Sequence, residues 1–165
     1  MRILRDSETD LARKYFKEAK KEAEKSSCYI SKCGALLVKG KTILGRGFNS
    51  PPGNKKLKQC FKDSLPNNFK SDRTCCVHAE QRAINDALDK YGKERIKDST
   101  LYFTRINQEK SIISVGKPYC TICSKDALDN GISKWVLFHE FGFCEYDAEE
   151  YNKISFGLIR WEPET

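Results

Sequence analysis

The sequence predicts an α/β sandwich containing parallel strand pairs. Two observations carry that prediction. Short apolar runs of strand length alternate with stretches of helical periodicity. The 165-residue chain is also long enough to bury one core, yet shows no repeat or low-complexity linker that would divide it. One domain spanning residues 1–165 is therefore expected.

The elements follow in order. A first helix, capped by Thr9 or Asp10, runs to about Ser26, with Leu11, Tyr15, Phe16, Ala19 and Ala23 at helical spacing on one face. Two strands follow, Gly34 to Lys39 and Thr42 to Phe48, hinged at Gly40-Lys41. The second ends in Asn49-Ser50-Pro51-Pro52-Gly53-Asn54, a dense turn signal. Residues 50–76 then read as a long, basic, irregular loop with a further turn at Pro66-Asn67-Asn68, and loops of that length are usually functional. A second helix covers Ala79 to Lys90, with Ala83, Ile84, Ala87 and Leu88 toward the core. Leu101 to Thr104 is a buried strand, Thr121 to Asn130 a helix stopped at Gly131, and Trp135 to Phe138 another buried strand. A short helix over Asp147 to Lys153 and a last strand over Ser155 to Trp161 complete the prediction.

Composition narrows the function. No apolar run approaches the roughly 20 residues of a membrane helix, and the N-terminal Met1 to Asp6 is charged too early for a signal peptide. No membrane partner and a cytoplasmic location are expected. The eight cysteines then read as thiols available for metal or catalysis rather than as disulfides. A net charge of +7 favours acidic ligands, nucleotides or nucleic acid. There is no basic stripe interleaved with aromatics to track a nucleic-acid strand.

Two short motifs sit at helix starts: His78-Ala79-Glu80 and Pro118-Tyr119-Cys120-Thr121-Ile122-Cys123. Each alone is poor evidence. Together they supply one histidine and two cysteines, the three protein ligands of a catalytic zinc that keeps a fourth position for water. A helix start also favours ionised sulfur. Glu80, two residues past His78, then stands ready to take the proton of an acidified water.

An H-x-E motif followed by P-C-x-x-C, with a glutamate that is not a ligand, marks zinc base deaminases. From Lys32 to Phe138 the sequence resembles the cytidine/deoxycytidylate deaminase superfamily. Gly34 to Val38 is similar to its first strand, Gly47-Phe48-Asn49 to its second with a substrate-binding asparagine, and Leu101 to Thr104 to the strand before the cysteines. The resemblance implies a three-layer α/β/α sandwich with a five-stranded mixed sheet, Zn2+ on His78, Cys120 and Cys123, and Glu80 as proton carrier. It also implies a base pocket lined by the backbone at Ala79, and a homo-oligomer. Two departures stand out: Tyr119 separates Pro118 from the first cysteine, and Arg105 to Lys117 is longer than the usual approach. Both fall at the pocket rim.

Within the superfamily, Gly47 to Gly53 followed by Cys60, then Cys76 to Glu80, looks most like deoxycytidylate deaminases, which implies a dCMP-like nucleotide substrate. Lys55, Lys56 and Arg73 are then candidates to meet a phosphate, or plain surface residues. Asn49 suits either a ligand contact or a turn. A deaminase of tRNA or other nucleic acid, a free-purine deaminase and a non-catalytic zinc module are the alternatives. Glu80 speaks against the last, since a structural site has no use for it. Cys60, Cys75 and Cys76 are candidates for a second zinc. Cys28, Cys33 and Cys144 read as small buried apolar residues, and His139 as a satisfied strand-end residue.

Overall fold

The computed structural model describes residues 1–66 and 75–162. Strand β1 (Arg2–Ile3) precedes helix α1 (Asp6–Glu24), and β2 (Lys32–Lys39) forms a hairpin with β3 (Thr42–Phe48). Helix α2 (Ala79–Tyr91) and the single turn α3 (Lys93–Ile96) lead to β4 (Thr100–Ile106) and the two-residue β5 (Ile112–Ile113). Helix α4 (Thr121–Asp129), the hairpin β6 (Lys134–His139) and β7 (Gly142–Asp147), and α5 (Ala148–Phe156) complete the order.

The sheet runs β1-β7-β6-β4-β2-β3, with β5 alongside β4. Among the described residues it has seven strands rather than five, because the two-residue β1 adds at the edge beside β7 and the two-residue β5 pairs with β4 inside the frame. Only β4 and β6 run parallel. The remaining pairs are antiparallel.

Strand β2 is central and buried on both faces, which explains its unbroken apolar run. Side chains alternate across it. Leu36 and Val38 join Tyr15, Phe16 and Ala19 of α1 on one face, with Tyr102 and Val136. Ala35 and Leu37 join Ala83, Ile84 and Ala87 of α2 on the other, with Leu101, Ala127, Trp135 and Leu137. Helices α2, α4 and α5 thus share one face and α1 covers the other, giving the three layers expected.

Glycines set how close the helices come. A Cβ on Gly34 would lie 2.0 Å from the carbonyl oxygen of Ala19 in α1. One on Gly45 would lie 2.0 Å from that of Ala83, and one on Gly47 2.1 Å from that of Ala79. Only hydrogen at Gly45 and Gly47 lets α2 rest on β3 with its first turn held to the sheet.

Three expectations are corrected. Helix α1 starts at Asp6, before Thr9, whose hydroxyl donates instead to the Leu4 carbonyl at 2.9 Å, and Leu11 is exposed. Residues Ser155 to Trp161 form no strand: Asp147 caps α5 with its carboxylate, and the helix runs on to Phe156. The place beside β6 belongs instead to β7, whose Cys144 and Tyr146 point inward. The long loop contains two short 3-10 turns, Pro52–Asn54 and Phe61–Ser64, and returns through a backbone pairing of Ser50 with Val77. Asn67 and Asn68 of the expected turn lie outside the described residues. Among the described residues, no helix is long and apolar enough to cross a membrane.

Candidate active site

His78 is the N-cap of α2 and Cys120 the N-cap of α4, so two helix starts face one another across the sheet's end. The backbone N–H of His78 donates to the Gln81 side chain at 3.4 Å, which fixes the entry into α2. The His78 Nδ1 lies 3.2 Å from the Sγ of Cys120 and 3.2 Å from that of Cys123. The three ligand atoms fall within 4.8 Å of one another, and among the described residues they form the one such group.

The electrostatics suit a cation. The Cys120 thiol is pulled down to about 4, first by its hydrogen bond from the Cys123 thiol and further by His78, with the Cys123 backbone N–H also donating to it at 3.4 Å. The Cys123 thiol is pushed well up by the same shared proton and by burial. A proton held between two buried sulfurs is what a divalent ion displaces when both become ligands. One nitrogen and two sulfurs fit zinc, with the fourth side open toward a cavity.

That cavity has a volume of about 540 Å³, and its wall includes His78, Ala79, Glu80 and Cys120. Glu80 stands in the first turn of α2 and is only 5% exposed. Burial pushes its carboxyl up to about 7, against the pull of His78. A carboxylate poised near neutrality can both take and return a proton.

Asn49 also reaches the wall, and its side chain is already committed on three sides. Its Oδ1 accepts from the Cys33 backbone N–H at 2.8 Å and from the Ser26 hydroxyl at 2.7 Å, and its Nδ2 donates to the Ser31 carbonyl at 2.7 Å. One Nδ2 hydrogen remains for a ligand. The residue is thus organiser of the turn first, and the two readings of it are compatible.

The structure brings Glu80, His78, Cys120, Asn49 and Ala79 onto one cavity, with Cys123 buried behind it beside His78 and Cys120. It does not bring Lys55 or Lys56 there, and Arg73 lies outside the described residues. The cations on the wall are Lys62, Arg105 and Lys117. Arg105 shares a strand face with Phe103, also on the wall, so the two-residue period of β4 was the signal that could have found it. Tyr151 of α5, stacked on Trp135 with ring centroids 4.0 Å apart, closes the cavity from behind. The extended stretch before the cysteines folds back as β5 against β4 and brings Val115, Gly116, Lys117 and Tyr119 to the wall, Tyr119 at its rim with 65% of its surface exposed.

His139 is satisfied at its strand end: Nδ1 pairs with the Val115 carbonyl at 2.8 Å and Nε2 with the Tyr146 hydroxyl at 2.7 Å. Cys33 and Cys144 are buried as expected, but Cys28 is only partly buried and faces other thiols.

Comparison with known proteins agrees with this geometry. The deoxycytidylate deaminase of Saccharomyces cerevisiae is 28% identical over 159 residues, 88% of this chain and 45% of the yeast protein. That of Schizosaccharomyces pombe is 29% identical over 157 residues, 90% of this chain and 44% of the relative. This chain therefore spans under half the length of these curated relatives. The fold is shared with the dCMP deaminase of cyanophage S-TIM5, solved with dCMP and dUMP (TM-score 0.55, 24% identity, 79% of this chain and 82% of that one). It is shared too with the cytidine deaminase of Burkholderia pseudomallei (TM-score 0.56, 16% identity, 84% and 94%). The family model for the cytidine and deoxycytidylate deaminase zinc-binding region matches residues 9–139, from within α1 to the end of β6 and across both ligand-bearing helices. This chain belongs to that family.

Proposed function

We propose that this chain hydrolytically deaminates a cytosine nucleotide of the dCMP type, releasing ammonia. The carrying observation is the buried Glu80 carboxyl on the wall of a nucleotide-sized cavity beside a three-ligand N,S,S set. Zinc in that set supplies an acidified water as nucleophile. Glu80 takes up the proton that the attacking water gives up. It hands that proton to the ring nitrogen and then relays the second proton of the same water, from the added hydroxyl, to the departing amine, so that a C–O bond forms, the C–N bond breaks and ammonia leaves. The Ala79 backbone N–H, at the open start of α2, is available to the base's carbonyl oxygen. The remaining Nδ2 hydrogen of Asn49 serves the sugar side.

Lys62, Arg105 and Lys117 make the wall cationic, which suits a nucleotide's phosphate better than an uncharged nucleoside. The curated relatives named deoxycytidylate deaminase, and the S-TIM5 enzyme solved with dCMP and dUMP, support the same substrate class. A homo-oligomer is part of the reading. Trp161 packs inward on Tyr146 at 3.0 Å, while Phe156, Leu158 and Ile159 stay exposed and offer a surface to a second copy.

Ammonia release from cytosine nucleotides, nucleosides, free bases, tRNA and single-stranded DNA tests the proposal. The expected result is fastest turnover of dCMP, with Glu80→Gln lowering kcat by about 10²–10⁴-fold while zinc content is unchanged. Turnover confined to tRNA or single-stranded DNA would overturn the nucleotide assignment.

A further inference from the structure

Six of the eight cysteines are not in the ligand set just described, although Cys28, Cys33, Cys60, Cys75 and Cys76 also line its cavity, and none of the eight is in a disulfide. Four of those six meet. Cys28 lies just beyond the end of α1, Cys60 precedes the turn at Phe61–Ser64, and Cys75 and Cys76 lead into Val77, whose backbone pairs with Ser50. The sulfurs of Cys60 and Cys75 are 3.9 Å apart, those of Cys75 and Cys76 4.0 Å apart, and Cys76 hydrogen-bonds to Cys28. All four border one small cavity of about 10 Å³.

We propose that Cys28, Cys60, Cys75 and Cys76 form a second, structural zinc site. A tetrahedral tetrathiolate with Zn–S bonds of about 2.3 Å places all its sulfurs about 3.8 Å apart. The Cys60–Cys75 and Cys75–Cys76 separations already match, while no three of the four sulfurs lie within 4.8 Å of one another, so the ion must draw the cluster together. Adjacent residues in extended chain point to opposite sides. The 4.0 Å between the Cys75 and Cys76 sulfurs means that the backbone has turned both side chains to one point. The contacts run as an arc, from Cys60 to Cys75 to Cys76 to Cys28, which an ion at its centre closes. Four thiolates leave no coordination position for water. The catalytic set has three ligands and keeps one position open. The cavity takes an ion and little else, and among the described residues its remaining wall, Ser27, Tyr29, Pro51, Leu57 and Gln59, supplies no carboxylate or imidazole to compete.

Such a site joins three segments distant in sequence: the exit of α1, the loop after β3 and the approach to His78. Zinc there ties the pocket's rim to the start of α2, and its binding energy becomes folding energy for that rim.

The test is zinc per chain, measured by mass spectrometry on the full chain prepared under reducing conditions. Expected are about two ions for the wild type and about one each for Cys60→Ser and Cys120→Ser, with Cys60→His, which keeps a zinc ligand, restoring two. Cobalt(II) bound to Cys120→Ser should show the intense thiolate charge-transfer bands of a four-sulfur site. One ion in the wild type, kept by Cys60→Ser and lost by Cys120→Ser, overturns the second site alone. One ion kept by Cys120→Ser and lost by Cys60→Ser sustains the second site and overturns the catalytic zinc instead. A Cys60–Cys75 disulfide in freshly reduced, zinc-replete protein would also overturn it.

Discussion

The floor of the cavity and its rim are built in different ways. The floor consists of the starts of α2 and α4, which carry His78, Glu80, Cys120 and Cys123 on a sheet whose glycines let α2 press against it. The rim consists of residues 49–66 and 107–119, mostly irregular, held by a few side-chain hydrogen bonds at Asn49 and His139. Groups that must meet within a few ångströms stand on helix starts and sheet, while groups that choose the ligand stand on loops that can vary. The metal-binding motif and the departures from the family pattern fall on opposite sides of this divide.

The divide can be broken first at Gly47. A methyl group there meets the Ala79 carbonyl at 2.1 Å and the Ala83 nitrogen at 2.5 Å, both backbone, so α2 must lift. Gly47→Ala is expected to cost about 1–3 kcal/mol, lowering the thermal midpoint by roughly 2–12 °C, and to reduce zinc occupancy. Calorimetry with a metal count checks this. An unchanged midpoint with full zinc would mean that the floor does not depend on the close approach.

A substitution on the cavity wall next to the rim, at Arg105 of β4, should separate binding from chemistry. Arg105→Ala is expected to raise KM for a nucleoside monophosphate roughly 10-fold or more while leaving kcat and the nucleoside's KM near wild type. Steady-state kinetics on the matched pair decides. If kcat falls equally for nucleoside and nucleotide, Arg105 acts on nearby Glu80 and belongs to the floor.

The smallest effect concerns the anchor of the rim. Burial lowers the pKa of His139 below its ordinary 6.5, so the folded state resists protonation that the unfolded chain accepts. The stability that neutral His139 contributes is full above about pH 6.5 and is lost as pH falls below it. Glu80 has a raised pKa and works in the opposite sense over the same range, so the useful quantity is a difference. The midpoint of the wild type should fall more steeply between pH 7.5 and 5.5 than that of His139→Gln. Parallel slopes would remove His139 as the pH-sensitive anchor.

The floor was legible in the sequence because its parts are local. His78, Glu80, Cys120 and Cys123 lie within two short motifs whose spacing suits a helix start, and the apolar runs of β2, β4 and β6 mark the sheet beneath. The rim was legible only as irregular chain. Lys117 becomes a wall residue through the pairing of β5 with β4, a long-range choice that two isoleucines do not announce, whereas Arg105 could be read from the alternation of β4. Cys28 stood alone because its thiol partners are 32 to 48 positions away. Ser155 to Trp161 carries enough apolar residues to read as a strand, but Asp147 caps a helix that runs into it, and β7 already occupies the place beside β6.

One chain of hydrogen bonds extends the rim further than its loops. Trp161 Nε1 can only donate, so the Tyr146 oxygen accepts from it at 3.0 Å and turns its own proton to His139 Nε2. The opposite nitrogen of His139 then donates to the Val115 carbonyl. Each group has one role, and the proton positions are set from end to end. A change at Trp161, remote from the zinc ligands and Glu80, therefore arrives at the loop that carries Val115, Gly116 and Lys117 on the cavity wall. Drift at this position would register as altered substrate choice in an enzyme whose metal and proton carrier are untouched.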